Sequence, residues 1–212
     1  MDQTVMRIHT TRLRRYALFS LIWIVALSAS IQSQQKTSVE KPRPKLSIPD
    51  VEVLNQDGRK LNFYTDVVKG KVVVINFVFT SCKAICPLSG AHFSKLQAAL
   101  GERLGRDVFL VSVSTDPKTD SPKQLKTWAA QFKPQAGWTL ITGQEKEIAQ
   151  VLRALKGDGL NTYHHVPSLC IIDDEKKTHR WAYGLEPADS VIKMIAELGQ
   201  DRSPQPASQK KH

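Results

Sequence analysis

A continuous apolar run leads directly into a pair of cysteines. Residues 72–78 read Val-Val-Val-Ile-Asn-Phe-Val, which is β-branched and apolar at both alternations. Such a run predicts a strand that is buried on both faces, as in the middle of a parallel sheet. Cys82 and Cys86 follow shortly after it. Because ligands bind outside the carboxyl ends of the strands in open α/β sheets, this pair is the first candidate for chemistry.

The residues after the second cysteine predict a helix over 87–104. Proline is favoured in a first helical turn, as at Pro87. Apolar residues then recur at helical spacing, at Leu88, Phe93, Leu96, Ala99 and Leu100. Both cysteines would flank a helix N-terminus, where unpaired amide groups and the helix dipole stabilise anions. We therefore expect the pKa of both thiols to be below that of free cysteine, with the charge of Lys83 as a further cause.

The N-terminal residues predict export. A group of arginines precedes an apolar run over 17–27, as in the charged and apolar regions of an export signal. The arginines favour a cytoplasmic N-terminus, with the rest of the protein on the other side of the membrane. We predict a signal peptide or single membrane anchor over 1–31, a flexible tether over 32–49 and a disordered tail over 200–212.

The formal net charge of +10 resides mostly in these flanking segments. The globular part between them is nearly neutral, which argues against nucleic acid as a partner. Basic flanks fit a membrane surface better, so the membrane is expected to be contacted through the N-terminus.

The remaining patterns predict an α/β domain over 50–199. A hairpin over 51–64 enters the fold. A second buried strand over 108–113 forms a βαβ unit with the first strand and the intervening helix. Further predicted elements are helices from Pro122, Glu145 and Pro187, and strands over 138–141, 169–172 and 179–183, of which the last two form an antiparallel pair.

The order of these elements resembles the thioredoxin fold. A dithiol at the end of a strand, a βαβ unit and a hairpin preceded by Val166 and Pro167 follow that plan. The resemblance implies a central mixed β-sheet flanked by helices, here with an N-terminal β-hairpin extension. It also implies a cis peptide bond before Pro167, opposite the dithiol.

Three sets of residues converge on one sheet edge in this plan. They are the two cysteines, the loop with Asp116 and Asp120, and the run Tyr163-His164-His165. Two thiolates and an imidazole form a soft, low-coordinate donor set that suits copper, and thiolates favour Cu(I) in particular. Zinc usually takes four ligands. The aspartates are candidates to orient a histidine or bind partners, or else simply to cap and turn their loop.

Residues 48–198 resemble the Sco/SenC family, the copper-binding thioredoxin-like proteins of cytochrome c oxidase assembly. The C-x-x-x-C-P pattern of the family is matched at 82–87, and its D-P-x-x-D-T-P loop at 116–122 with serine for threonine. The distal copper histidine of the family falls on His165. The resemblance implies that Cys82, Cys86 and His165 bind copper, as Cu(I), Cu(II) or both.

The sequence departs from the family pattern around that histidine. His164 stands where the family often has aspartate, and Val166 and Pro167 follow the histidine. The run Val-Pro-Ser leans towards the thiol-disulfide thioredoxins. Two functions therefore remain open at this point.

The first function is a copper chaperone that delivers copper to the dinuclear copper site of cytochrome c oxidase. Its partner is the copper-site subunit, and its expected location is the periplasm, anchored to the inner membrane. The second function is a thiol-disulfide reductase that keeps the copper-site cysteines of the oxidase reduced. Cys82 would attack, Cys86 would resolve the mixed disulfide, and a separate thiol-disulfide reductant would restore the pair.

Other roles for the cysteines are disfavoured. A structural disulfide between Cys82 and Cys86 would close a loop too short to remove much chain entropy. A peroxiredoxin needs a threonine upstream of its nucleophile, and Phe79 and Lys83 occupy the corresponding positions. Cys170 lies between apolar neighbours and is predicted to be a small buried residue without a chemical role.

Overall fold

The computed structural model describes residues 46–156 and 167–199. The predicted signal or anchor, most of the predicted tether, the predicted C-terminal tail and the run with His164 and His165 lie outside the described residues. No helix within these two ranges is long and apolar enough to cross a membrane.

The described chain forms strands and helices in alternation. The strands are β1 (Glu52–Asn55), β2 (Lys60–Asn62), β3 (Val72–Val78), β4 (Val108–Ser114), β5 (Trp138–Thr142), β6 (Ser168–Asp173) and β7 (Thr178–Tyr183). The α-helices are α1 (Ile85–Leu100), α2 (Pro122–Ala130), α3 (Glu145–Lys156) and α4 (Ala188–Leu198). A π-helix covers Phe63–Val68, and a short 3₁₀ helix covers Gly101–Arg103.

All these strands lie in one mixed sheet in the order β2-β1-β5-β4-β3-β6-β7. β3 pairs in parallel with β4, which pairs in parallel with β5, and β6 pairs antiparallel with β3. β3, α1 and β4 form the predicted βαβ unit, and β6 and β7 form the predicted antiparallel pair. The predicted N-terminal hairpin is present, and β1 joins it to the sheet by pairing with β5.

Alternating side chains of β3 build two apolar layers, one on each face of the sheet. Val74 and Val78 pack under α1, α2 and α4, whereas Val73 and Ile75 pack against the π-helix and α3. All four side chains are fully buried. β3 is therefore held from both sides, and its carboxyl end offers a rigid base for the loop that follows.

Three predicted boundaries are wrong. The second hairpin strand was expected to continue through Tyr64, but β2 ends at Asn62 and the chain turns into the π-helix. Phe63, Val67 and Val68 share one buried face of that helix, so burial decides the local structure. The helix after the cysteines begins at Ile85, before the expected Pro87, and α1 ends at Leu100 because Gly101 adopts a φ of 53°.

The last residues of the predicted tether contact the domain. Leu46 and Ile48 pack against the layer that contains the π-helix. Asp50 then accepts hydrogen bonds from the backbone N–H of Thr65 at 2.9 Å and from its hydroxyl at 2.6 Å. The chain is thus fixed to the domain from Leu46 onward.

Candidate metal and redox site

Cys82 and Cys86 lie where β3 ends and α1 begins. The backbone N–H of Cys82 donates to the carbonyl of Phe79 at 3.2 Å, which turns the chain away from the strand. The backbone N–H of Cys86, in the first turn of α1, donates to Sγ of Cys82 at 3.4 Å. Both thiols are free. Cys82 is half-buried and Cys86 is only 2% exposed, so Cys82 is the sulfur that a partner can reach.

The two thiols differ in acidity. Burial raises the pKa of Cys82, but hydrogen bonds from the backbone N–H groups of Cys86, Ala84 and Ile85 outweigh it, and the pKa ends below that of free cysteine. Burial raises the pKa of Cys86 to about 12, and the negative charge of nearby Asp120 adds to this rise. The expectation of two acidic thiols is therefore correct for Cys82 and wrong for Cys86, whose sulfur lies in the apolar layer under α1.

Backbone amides, rather than the neighbouring lysine, account for the acidity of Cys82. Lys83 is exposed to solvent, and the largest contributions that lower the pKa of Cys82 come from the amides of the first helical turn. The expected effect of Lys83 is thus secondary to the position of the sulfur at the N-terminus of α1.

Asp120 is fully buried and holds the loop that carries Cys82. Its Oδ1 accepts hydrogen bonds from the backbone N–H of Thr80 at 3.0 Å and from the Thr80 hydroxyl at 2.6 Å. Its Oδ2 accepts a hydrogen bond from the hydroxyl of Ser114, the last residue of β4, at 2.6 Å. One carboxylate therefore ties the cysteine loop to the end of the neighbouring strand.

The other aspartate of that loop acts mainly through its backbone. Asp116 is half-buried, its N–H donates to Ser114 Oγ at 3.1 Å, and its carbonyl accepts from the N–H of Asp120 at 2.9 Å. The adjacent Thr115 N–H donates to the carbonyl of Val78 at 2.9 Å. The structure thus brings Asp120 next to the dithiol, while Asp116 shapes the loop.

Thr80 and Ser114 are site residues that the sequence analysis missed. Each is a polar residue at the carboxyl end of one of two neighbouring strands, so both lie at the sheet edge that carries the cysteines. That placement was a usable signal, because parallel strands end at a common edge.

The segment with the predicted ligand His165 lies outside the described residues, but the structure shows where it ends. β6 pairs with β3 so that Leu169 faces Asn76, which carries Pro167 towards the end of β3 and the dithiol. The carbonyl of Pro167 accepts a hydrogen bond from Gly184 at 2.7 Å. The predicted cis bond before Pro167 includes Val166, which is outside the described part, so it stays a prediction.

No group of three or more histidine, cysteine and carboxylate side chains in the described ranges is arranged to hold a metal ion. The two cysteines supply two soft sulfur donors. Such donors fit Cu(I), which accepts few ligands. The described residues thus contain two of the three predicted copper ligands.

The mixed sheet, its flanking helices and the reduced cysteine pair define a thioredoxin-like dithiol protein. The family model described as SCO1/SenC matches residues 40–200, and the chain belongs to this family. The predicted resemblance to this family is thereby confirmed.

A curated relative supports the assignment. The SCO1 protein homolog of Bacillus subtilis is 34% identical over 149 residues, which cover 65% of this chain and 75% of that protein. The chain spans about half the length of several other curated relatives, such as a SCO2-like protein of Rickettsia conorii, where coverage is 50%.

Solved structures share the fold. BsSco, a member of the Sco family of cytochrome c oxidase assembly proteins with a disulfide switch, has a TM-score of 0.61 at 28% identity, with coverage of 76% of this chain and 98% of that one. A SCO1/SenC family lipoprotein from Bacillus anthracis has a TM-score of 0.60 at 26% identity, with coverage of 75% and 98%. Copper-bound yeast Sco1 has a TM-score of 0.61 at 21% identity, with coverage of 79% and 99%.

Proposed function

We propose that this protein is a copper chaperone that delivers copper to the dinuclear copper site of cytochrome c oxidase during assembly of the oxidase. Copper is its cargo, bound by Cys82, Cys86 and His165. The observation that carries the proposal is the pair of free thiols at the carboxyl end of β3 in a member of the SCO1/SenC family. The copper bound in yeast Sco1 and the oxidase-assembly role of the BsSco family support it.

The donor set suits the cargo. Backbone N–H groups outweigh burial and lower the pKa of Cys82, so this half-buried sulfur is the more acidic and the more accessible of the two. Cys86 carries a proton at neutral pH, because burial holds its pKa at about 12, and that proton must leave when a metal binds. Copper binding therefore releases a proton and becomes stronger as the pH rises. His165 would add an imidazole nitrogen, a donor that also suits copper.

Delivery proceeds by ligand exchange in this proposal. A cysteine of the oxidase subunit first replaces the half-exposed Cys82, and the buried Cys86 is released last. Residues 1–31 would hold the protein at the inner membrane with the domain in the periplasm, close to a membrane-bound oxidase. The lipoprotein among the structural relatives supports attachment to a membrane.

A Cu(I) titration of the reduced full-length protein against a chromophoric chelator, under anaerobic conditions, tests the ligand set. We expect one tightly held Cu(I), and a loss of affinity of about tenfold or more in the His165→Ala variant. His164→Ala is the matched control and should bind as the wild type does.

Two results would count against this account. Equal affinities in wild type, His165→Ala and His164→Ala would remove His165 from the site. Weak Cu(I) binding by the wild type itself would remove copper as the cargo.

The difference between the two thiols favours a second candidate function, thiol-disulfide reduction of the copper-site cysteines of the oxidase. The Cys82 thiolate would attack the disulfide of the substrate, so that one substrate sulfur leaves as a thiolate and a mixed disulfide forms. Cys86 would lose its proton and attack Cys82, which releases the second substrate thiolate. Two electrons pass to the substrate, and an external dithiol reductant would reduce the Cys82–Cys86 disulfide again.

A Cys86→Ala variant tests this second function, because the mixed disulfide then has no resolving thiol. We expect a covalent adduct with the oxidised copper-site domain of the oxidase, seen by non-reducing electrophoresis. Cys170→Ala is the control and should give no adduct, because Cys86 still resolves the mixed disulfide. The reductase function is refuted when the Cys86→Ala variant forms no adduct at neutral pH.

A further inference from the structure

One buried histidine has no part in the chemistry proposed above. His92 lies in the second turn of α1 and is 8% exposed. Its Nε2 is buried and has no hydrogen-bond partner among the described residues. The other ring nitrogen, Nδ1, donates a hydrogen bond to the backbone carbonyl of Glu186. A buried imidazole with one directed hydrogen bond restrains the segment to which it is bonded.

That segment is the loop between β7 and α4. β7 pairs antiparallel with β6, so the loop lies beside the start of β6. Within the loop, the backbone N–H of Gly184 donates to the carbonyl of Pro167 at 2.7 Å. The loop is thus bonded to α1 on one side and to the residue before β6 on the other. We call these two hydrogen bonds, from His92 to Glu186 and from Gly184 to Pro167, the loop clasp.

The loop clasp joins the two parts of the molecule on which the proposed copper site depends. α1 carries Cys86 in its first turn. Pro167 stands two positions after His165, the predicted third ligand. A loop that moved away from α1 would pull on Pro167 through the hydrogen bond from Gly184. The geometry points to His92 as a positioning residue that holds Pro167 in place relative to the dithiol, and its effect on copper binding rests on the proposed function.

Charged groups from the surrounding elements act on the imidazole with opposite signs. Lys95, one turn further along α1, favours the neutral ring, whereas the carboxylate of Glu186 favours the charged one. α4 packs beside α1, and the charge in its first turn is that of Asp189, which is exposed. Burial outweighs the other effects and holds the pKa of His92 below the ordinary histidine value. The neutral ring, with Nδ1 as the donor, therefore closes the loop clasp at neutral pH.

Protonation of His92 weakens the loop clasp. The added N–H at Nε2 would be buried with a positive charge, and no acceptor for it lies in the part of the chain that the structure describes. Histidine in an unfolded chain has a pKa of about 6.5, so the stabilisation from neutral His92 is complete above that pH. It is lost progressively as the pH falls through that value towards the lowered pKa of the folded protein.

Substitutions of His92 separate the role of Nδ1 from that of the whole ring. The amide nitrogen of asparagine can take the place of Nδ1, whereas that of glutamine takes the place of Nε2. His92→Asn should therefore keep the hydrogen bond to Glu186, and His92→Gln and His92→Leu should lose it. We expect amide hydrogen exchange in peptides that contain Gly184 to be about fivefold faster in His92→Gln and His92→Leu, and unchanged in His92→Asn. The measurement uses the full-length reduced protein and mass spectrometry, with Ala91→Ser, an exposed neighbour, as the control.

Copper affinity tests whether the loop clasp acts through the predicted ligand. We expect His92→Leu to weaken Cu(I) binding about fivefold, and His92→Asn to bind as the wild type does. In the His165→Ala background, His92→Leu should have no further effect, because the residue that it positions has been removed. A residue that only stabilised the fold would lower the affinity equally in both backgrounds.

The pH dependence of stability gives a third readout, which needs no copper. Between about pH 7.5 and pH 5.5, the urea midpoint of the wild type should fall more than that of His92→Asn. The other titrating groups are the same in both proteins, so the difference reports His92 alone.

Three results would overturn the inference. They are equal exchange at Gly184 in wild type and His92→Leu, faster exchange in His92→Asn as well, and losses of Cu(I) affinity that add up in the double variant His92→Leu, His165→Ala. Weak Cu(I) binding by the wild type would refute the proposed function alone, because hydrogen exchange and the pH dependence test the loop clasp without copper. If His92→Leu does not fold, the comparison of His92→Asn with His92→Gln decides the same question.

Discussion

At the residue scale, two cysteines one helical turn apart differ in acidity. Cys82 lies just outside α1, where the amides of the first turn stabilise its thiolate, whereas Cys86 points into the apolar layer. At neutral pH the pair thus combines an accessible, acidic thiol with a protonated, buried one. The spacing of the cysteines predicted the pair and its place at a helix N-terminus. It did not predict the depth of Cys86, because burial depends on how α1 packs on the sheet.

Asp120 is the residue whose removal should affect both the fold and the site. In Asp120→Asn one acceptor oxygen is replaced by an NH₂ group, which would face a donor from Thr80 or Ser114. We expect the free energy of unfolding to fall by about 1–3 kcal/mol, as for a buried donor left unpaired. Loss of the negative charge should also lower the pKa of Cys86, so its thiolate appears at a lower pH. Urea unfolding and ultraviolet thiolate absorbance against pH measure the two effects.

Asp116→Asn is the matched control for that substitution. Asp116 is half-buried in the same loop and fixes it through backbone groups that asparagine retains. Its effect on unfolding should stay within about 0.5 kcal/mol, as for surface changes. Equal effects of the two substitutions on stability and on the Cys86 titration would contradict the positioning role of Asp120.

At the scale of elements, the helices differ in whether the sequence carries a capping pattern at their first residue. Ser121 caps α2 in a capping box with Gln124, and Pro122 takes the first position, so the sequence predicted that start correctly. α1 begins after Ala84, whose side chain forms no capping hydrogen bond. No local sequence pattern therefore indicated its start at Ile85. Hydrogen bonds to the sulfur of Cys82 take the place of a cap at this end. The same backbone N–H groups thus begin the helix and lower the pKa of Cys82.

The π-helix after β2 shows a second limit of local patterns. Leu61 to Tyr64 has the composition of a strand, and the strand interpretation followed from it. In the fold, Phe63 is fully buried, and its backbone N–H donates to the carbonyl of Val51 at 2.9 Å. Packing across the sheet outweighs the local propensity at this point.

At the scale of the whole molecule, the two buried strands β3 and β4 form the centre of the sheet, and the other strands pair on either side of them. The parallel pair β3 and β4 and its crossover helix were predictable, because both strands are continuously apolar. The pairing of the N-terminal hairpin with β5 was not predictable, because it depends on which edge strand of the sheet is free to pair. The convergence of the cysteine loop and the Asp120 loop followed from the common direction of the parallel strands.

The completed sheet gives the molecule one chemically active edge. That edge carries the acidic thiol of Cys82 and the buried carboxylate of Asp120, and the predicted ligand segment ends there at Pro167. Copper delivery, as proposed, would use this edge for binding and for release. Reduction of a disulfide would use the same edge, so the two functions differ in what is transferred.

Copper transfer is the most direct test of the central claim. The full-length protein, reduced and loaded with Cu(I), is mixed anaerobically with the metal-free, reduced copper-site domain of the oxidase, and the metal content of each is measured after separation. We predict that copper leaves this protein and appears on the oxidase domain, and that the His165→Ala variant carries less copper into the reaction. Copper that stays on this protein, while its metal-free form reduces the oxidised oxidase domain, would contradict delivery and establish the dithiol as a reductant.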